Sequence, residues 1–209
     1  MSFPQCVTPH DRAGAMIRLA IMTAALAAAS PQKVIDEVTG DEHFVASIPS
    51  DFKVGYTASA GDHTITELVP VKETVNDWTT IITVQVFPDR KDAIATGWMT
   101  RFVERTIAAC PRATKGAYIP MGDAGSAIIP VINGYRNGFR TALSGVHCPS
   151  SGVTGKVEDQ TNVALQGAHT LYLVTYAFAR DPVAHDEEDR LRYLRSLVLC
   201  DRKDLAHPC

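Results

Sequence analysis

Hydrophobic and polar positions follow two different periods along this chain, and the change from one to the other is clearest between Asn76 and Cys110. Thr79 to Phe87 is a run of β-branched and aromatic residues, the types that fit a pleated surface. Its alternation is broken, since Ile81 and Ile82 are adjacent whereas Val84 and Val86 are two apart. That pattern predicts a central strand covered on both faces. Pro88 closes the strand, because proline has no N–H to give to a ladder, and Asp89 to Asp92 makes a polar turn. From Ala93 the spacing is helical: Ile94, Trp98 and Phe102 recur at four-residue steps, flanked by Met99, Val103, Ile107 and Cys110. Pro111 stops the helix. A strand feeding a helix that folds back on the sheet is the predicted organising unit.

The same reasoning places the other elements. Lys33 to Glu42 is polar and is expected to be poorly ordered, as part of a flexible segment over 30–42. His43 to Ile48, Phe52 to Ala58 and His63 to Val69 read as strands, the last two joined by a hairpin at Gly61-Asp62. In the third of these, Ile65 and Leu68 are expected inward, with Thr64 and Thr66 on the opposite face. Beyond Pro111, glycines and prolines interrupt the pattern, and Pro130 limits Ala127 to Ile132 to an edge strand. Asn133-Gly134 is the strongest hairpin signal, with Tyr135 to Val146 as the return strand and Phe139, Ala142 or Leu143, and Val146 inward. Asn162 to Gln166 and Leu171 to Ala179 follow as strands around Gly167-Ala168-His169. Tyr172, Val174, Tyr176 and Phe178 make the bulkier face of the second. Asp186 to Asp189 opens a final helix at its positive end, with Leu191, Leu194, Leu197 and Val198 at core spacing and Arg190, Arg192, Arg195 and Arg202 toward its other end. The predicted fold class is α+β: an antiparallel β-sheet packed by a central helix and a C-terminal helix, with residues 43–209 as one domain.

Composition narrows the setting. A chain of 209 residues, 45% hydrophobic and 21% charged, suffices for one domain with a core. A net charge of −3 and a pI near 6.1, with no basic cluster, argue against nucleic acid or an anionic membrane as partner. Arg18 precedes the apolar run Leu19 to Ala29, which ends in small residues at a spacing that signal peptidase accepts. Residues 1–29 are therefore expected to be a signal peptide cleaved after Ala29, with 1–15 as an extension if translation starts at Met16. The alternative is an apolar N-terminal helix. The run is shorter than the about 20 residues a membrane span needs, and no comparable run follows, so the mature chain is expected in the periplasm or secreted.

Of the five cysteines, Cys6 falls in the segment to be removed, leaving Cys110, Cys148, Cys200 and Cys209. An even number in an exported domain points to disulfides, with three connectivities open. Cys110 with Cys148 and Cys200 with Cys209 is the favoured set, since the second closes a tail that would otherwise fray. Four reduced thiols are the alternative. A zinc site is disfavoured because no pair has Cys-x-x-Cys spacing.

The element order, three strands, a tryptophan-bearing connection, a strand, a long helix, several strands and a closing helix, resembles the Mog1/PsbP-like sandwich. The run Glu73 to Phe87, with Cys110-Pro111, Cys148-Pro149 and Cys200-Asp201, is similar to small exported bacterial proteins of no assigned activity. This resemblance implies a fold and no functional residue.

No catalytic constellation emerges. Gly125-Ser126-Ala127 lacks the second glycine of a nucleophile elbow. His147 beside Cys148 would put neighbouring side chains on opposite strand faces. His147, His169, His185 and His207 show no metal-ligand spacing, so no metal site is expected, and Asp186 to Asp189 lacks the glycine turn of a calcium loop. Gly134, Gly138 and Gly145 precede no helix and form no nucleotide loop, so no cofactor is expected. Trp78 and Trp98 are expected in the core, with an exposed position at a sheet rim as the alternative for Trp78. Tyr135, Arg136, Asn137 and Arg140 form the best candidate binding patch, basic and aromatic beside a hairpin. The leading expectation is a non-enzymatic exported domain binding a protein partner or a small ligand. The alternatives are a hydrolase or metal-dependent enzyme assembled from separate loops, and an immunity or inhibitor protein.

Overall fold

β10 (Leu171–Phe178) is buried along its whole length, and the architecture follows from what covers its two faces. A computed structural model describes residues 33–61, 63–90, 95–110, 114–115, 132–136, 138–152, 154–203 and 208–209. Before β10 these contain β1 (Val34–Thr39), β2 (Glu42–Ser47), β3 (Phe52–Ala60), β4 (His63–Pro70), β5 (Thr80–Phe87), α1 (Ala95–Ala109), β6 (Thr114–Lys115), β7 (Ile132–Arg136), β8 (Phe139–Cys148) and β9 (Glu158–Gln166). After it come α2 (Ala184–Ser196) and β11 (Val198–Asp201). The larger sheet runs β3-β4-β5-β10-β9-β8-β6, with β7 also on β8, and every pairing is antiparallel.

On one face Tyr172, Val174, Tyr176 and Phe178 of β10 join Ile82, Val84 and Val86 of β5, beneath a second sheet of order β1-β2-β11 and beneath α2. Phe44 of β2 stacks on Tyr172 with ring centroids 4.6 Å apart, and Tyr193, Leu194 and Leu197 complete the layer. On the opposite face Leu171 and Leu173, with Ala142, Val146 and Ala164, receive Ala95, Met99 and Val103 of α1. Farther along that face Val75 and Trp78 cover Val69, Ile81 and Ala177. Burial of both faces is why the adjacent Ile81 and Ile82 of β5 are both apolar and buried, which breaks the alternation there. The fold is α+β with helices on an antiparallel sheet. Among the described residues no helix is long and apolar enough to cross a membrane.

Several expectations are corrected. Residues 34–39, expected to be poorly ordered, form β1, which pairs with β2 over its full length. Only Ile35 of that strand is buried, so its composition reads as polar while the ladder still satisfies its backbone. The single expected sheet is accompanied by a second. Leu68 lies on the face of Thr64 and Thr66, not opposite them, because it pairs with Ile82 while Thr66 pairs with Val84. The β7–β8 turn is not at Asn133-Gly134, which sits inside β7. Arg136 pairs with Phe139, and Gly138 supplies the positive φ of 80° that the turn requires. Tyr135 and Arg136 therefore belong to the outgoing strand. Val198 is exposed in β11 and has no place in the α2 core.

Candidate functional site

The turn from β5 to α1 positions the most distinctive surface among the described residues. Asp89 adopts φ 56° there, a left-handed conformation that aspartate tolerates better than most residues. α1 then presents Trp98, Arg101, Phe102 and Arg105 along one stripe, since three- and four-residue steps share a helix face. With His63, Phe87 and Arg90 these side chains line a recess of about 390 Å³. Its floor is a chain of rings. His63 stacks on Phe87 at 5.2 Å, Phe87 meets Trp98 at 5.2 Å, and Trp98 stacks on Phe102 at 5.5 Å.

Two guanidinium groups stand at the rim. Arg101 and Arg105 are exposed and one turn apart, and neither joins the ion pairs found among the described residues. Like charges at this spacing repel by a few tenths of a kcal/mol, about 0.2–0.5, and a bound anion would offset that. Arginine beside aromatic faces suits planar anions, because it forms forked hydrogen bonds to carboxylate or phosphate and stacks on rings.

A second recess of about 540 Å³ lies between the β2–β3 connection and α2, lined among others by Phe52, Tyr176, Tyr193, Asp189 and Arg192. Burial, with the Asp189 and Asp51 carboxylates nearby, pushes the Tyr176 hydroxyl up to about 12. Burial pushes Tyr193 in the same direction. Arg192 is paired with Asp189 at 2.9 Å, whereas Arg101 and Arg105 at the first recess join none of the ion pairs among the described residues.

The sequence candidates are distributed differently. Arg140 is exposed on β8, directly opposite Tyr135 in the ladder. Arg136 follows Tyr135 in β7, while Asn137 lies outside the described residues. Cys110 is joined to Cys148, tying the end of α1 to the end of β8, and Cys200 to Cys209. His147 Nδ1 lies 3.2 Å from Asp159, and its Nε2 lies 3.8 Å from Asp181. This imidazole thus faces carboxylates on both sides, and it lines neither of the two recesses described above. His185 pairs with Asp189 on α2 at 3.1 Å. The backbone N–H of His169 donates to buried Glu42. His207 and Ser126 lie outside the described residues. Spacing alone missed a further group: His43 lies beside Cys200 and Cys209. The α1 recess was missed because Trp98 was read as core alone; Trp98 and Phe102 do pack against the Met99 and Val103 cluster, and they also line the recess. The available signal was the Arg101/Arg105 repeat on the same stripe.

No family model and no curated protein matches the chain. Among solved structures, cyanobacterial PsbP (CyanoP) from Synechocystis sp. PCC 6803 is similar over 85% of this chain and 98% of that one, at 9% identity and a TM-score of 0.54. A putative regulator of unknown function from Pseudomonas aeruginosa aligns over 79% of this chain and 96% of its own, at 11% identity and a TM-score of 0.43. A Mog1 point mutant aligns over 78% and 84%, at 9% identity and a TM-score of 0.41. The likeness to CyanoP shows the fold, a PsbP-like sandwich.

Proposed function

We propose that the mature chain is an exported, non-enzymatic binding domain whose ligand seats in the α1 recess. The ligand class is a small molecule with a carboxylate or phosphate on a flat apolar body. The observation that carries this is the pair Arg101 and Arg105, exposed one turn apart above the stacked Trp98 and Phe102. The rings offer a face to the apolar body and the guanidinium groups meet the anion. The recess volume falls in the usual range for small ligands, roughly 300–1,000 Å³. Export is supported by the two cysteine pairs. The binding reading is supported by His43 and His147, whose rings lie against carboxylates of the neighbouring strand, Asp36 of β1 and Asp159 of β9.

A second reading places a protein partner at the β7–β8 hairpin, favoured by the direct pairing of Tyr135 with exposed Arg140. A thermal-shift series with 2-naphthoate and naphthyl phosphate separates the two. The α1 reading expects a rise in melting temperature that the Arg101→Ala/Arg105→Ala double variant loses and Arg140→Ala keeps. No shift with either probe, or a shift that survives the double variant, overturns it.

A further inference from the structure

The second sheet gathers a set of metal-binding donors that the α1 recess does not involve. In the antiparallel register of β2 with β11, Cys200 lies directly opposite His43. The bond from Cys200 to Cys209 brings Cys209 to the same place. A ring nitrogen of His43 and the sulfurs of Cys200 and Cys209 all lie within 4.8 Å of one another. The imidazole is also hydrogen-bonded to Asp36 on β1. Cys200 is buried, His43 is partly covered and Cys209 is exposed, so the group is anchored on a sheet and open on one side.

Two sulfurs and one imidazole are the donor set of a thiophilic d¹⁰ cation, with metal–sulfur bonds of about 2.3 Å and metal–nitrogen bonds of about 2.0 Å. Donors already within contact distance of one another need little movement to surround one ion. Asp36 holds the Nε2 side of the ring, which leaves Nδ1 for a metal; ligating histidines almost always give their second ring N–H to an acid or carbonyl, which fixes the ring. While the sulfurs are bonded to each other they carry no thiolate, so the disulfide form cannot supply this set.

We propose that reduction of the Cys200–Cys209 disulfide converts this corner into a zinc site, with His43, Cys200 and Cys209 as ligands and Asp36 as the positioning residue. The sulfur–sulfur bond breaks as a dithiol reductant delivers two electrons and two protons and closes to its own disulfide. Zinc then displaces the two thiol protons to solvent, and water takes the fourth position. The tail of the chain is closed in both states, by the disulfide in one and by the metal in the other.

Equilibrium dialysis of the full chain against Zn²⁺ tests this, comparing the oxidised protein with protein reduced by a phosphine, which takes the place of the dithiol and ends as its oxide. The reduced chain is expected to retain one zinc that the oxidised chain does not. Cobalt in its place is expected to show thiolate-to-metal charge-transfer absorption. Cys209→Ser, which keeps Cys110 and Cys148 as they are, should lose the site, and Asp36→Ala should weaken it about 10–100-fold. Both positions are exposed, and the variants are compared with the parent in the reduced state, where neither chain carries the Cys200–Cys209 bond, so a difference in zinc reports on the site. Equal zinc on the oxidised chain, or undiminished zinc on reduced Cys209→Ser, overturns the proposal.

Discussion

Arg190 and Asp159 hold the C-terminal helix to the sheet, with Arg190 Nη1 2.6 Å from Asp159 Oδ1. The guanidinium is almost fully buried, pairs on its other side with Glu187, and sits over the Phe178 ring at 5.2 Å. Removing one partner of a buried pair leaves an uncompensated charge, which costs about 3–5 kcal/mol. Arg190→Ala is therefore expected to lower unfolding stability by that amount in urea. Arg192→Ala, which breaks an exposed pair with Asp189, is expected to cost less than about 1 kcal/mol.

The two disulfides should contribute unequally. Cys110 and Cys148 are 38 residues apart and Cys200 and Cys209 are 9 apart, so loop-closure entropy assigns about 4 kcal/mol to the first and about 2–3 kcal/mol to the second. Paired Cys→Ser variants, compared by denaturant midpoint, should show the larger loss for Cys110/Cys148.

Acid stability should depend on Asp186. Hydrogen bonds from Arg180, with a further one from the Val183 N–H, hold its carboxyl at about 2 against an ordinary 3.8. A carboxylate whose pKa falls on folding stabilises the fold above its unfolded value and ceases to as it protonates. The contribution is thus whole above about pH 4 and lost between about pH 4 and 2. Asp186→Asn should be less stable than the parent at neutral pH and equal to it near pH 2, as read from urea midpoints.

Alkaline stability should depend on buried tyrosines. Burial, with Glu42 adding, pushes Tyr172 up to about 12, and Tyr176 lies equally high. A phenol that resists ionisation in the fold stabilises it below the unfolded pKa near 10, and that contribution is lost as pH rises toward 12. Tyrosinate absorbance at about pH 11 should therefore stay well below that of the urea-unfolded chain. Equal absorbance would place these rings in solvent.

Where side-chain period alone decides structure, the sequence is readable. The alternation of Tyr172, Val174, Tyr176 and Phe178 marks one face of β10, and Trp98 to Ile107 gives the helical stripe that became α1, Ile94 lying outside the described residues. Long-range pairing is where it fails. Residues 133–138 contain Asn-Gly twice, and both dipeptides satisfy the same turn chemistry. Only the packed sheet decides between them, by setting Phe139 and Leu143 against the β1-β2-β11 layer and Ala142 and Val146 against α1. β1 escaped detection because one inward residue, Ile35, leaves little periodic signal. His43 and Cys200 are 157 residues apart, and nothing local to either announces that β2 and β11 will place them side by side.

The most direct test of the α1 recess uses the two tryptophans, one at the recess and one at the opposite end of that face. Indole N–H resonances of ¹⁵N-labelled protein, assigned with Trp78→Phe, would be followed through a titration with 2-naphthoate. The expected result is a saturable shift of the Trp98 signal, an unmoved Trp78 signal, and loss of the effect in Arg101→Ala/Arg105→Ala. An unmoved Trp98 signal, or one that shifts equally in the double variant, would contradict a ligand site on α1.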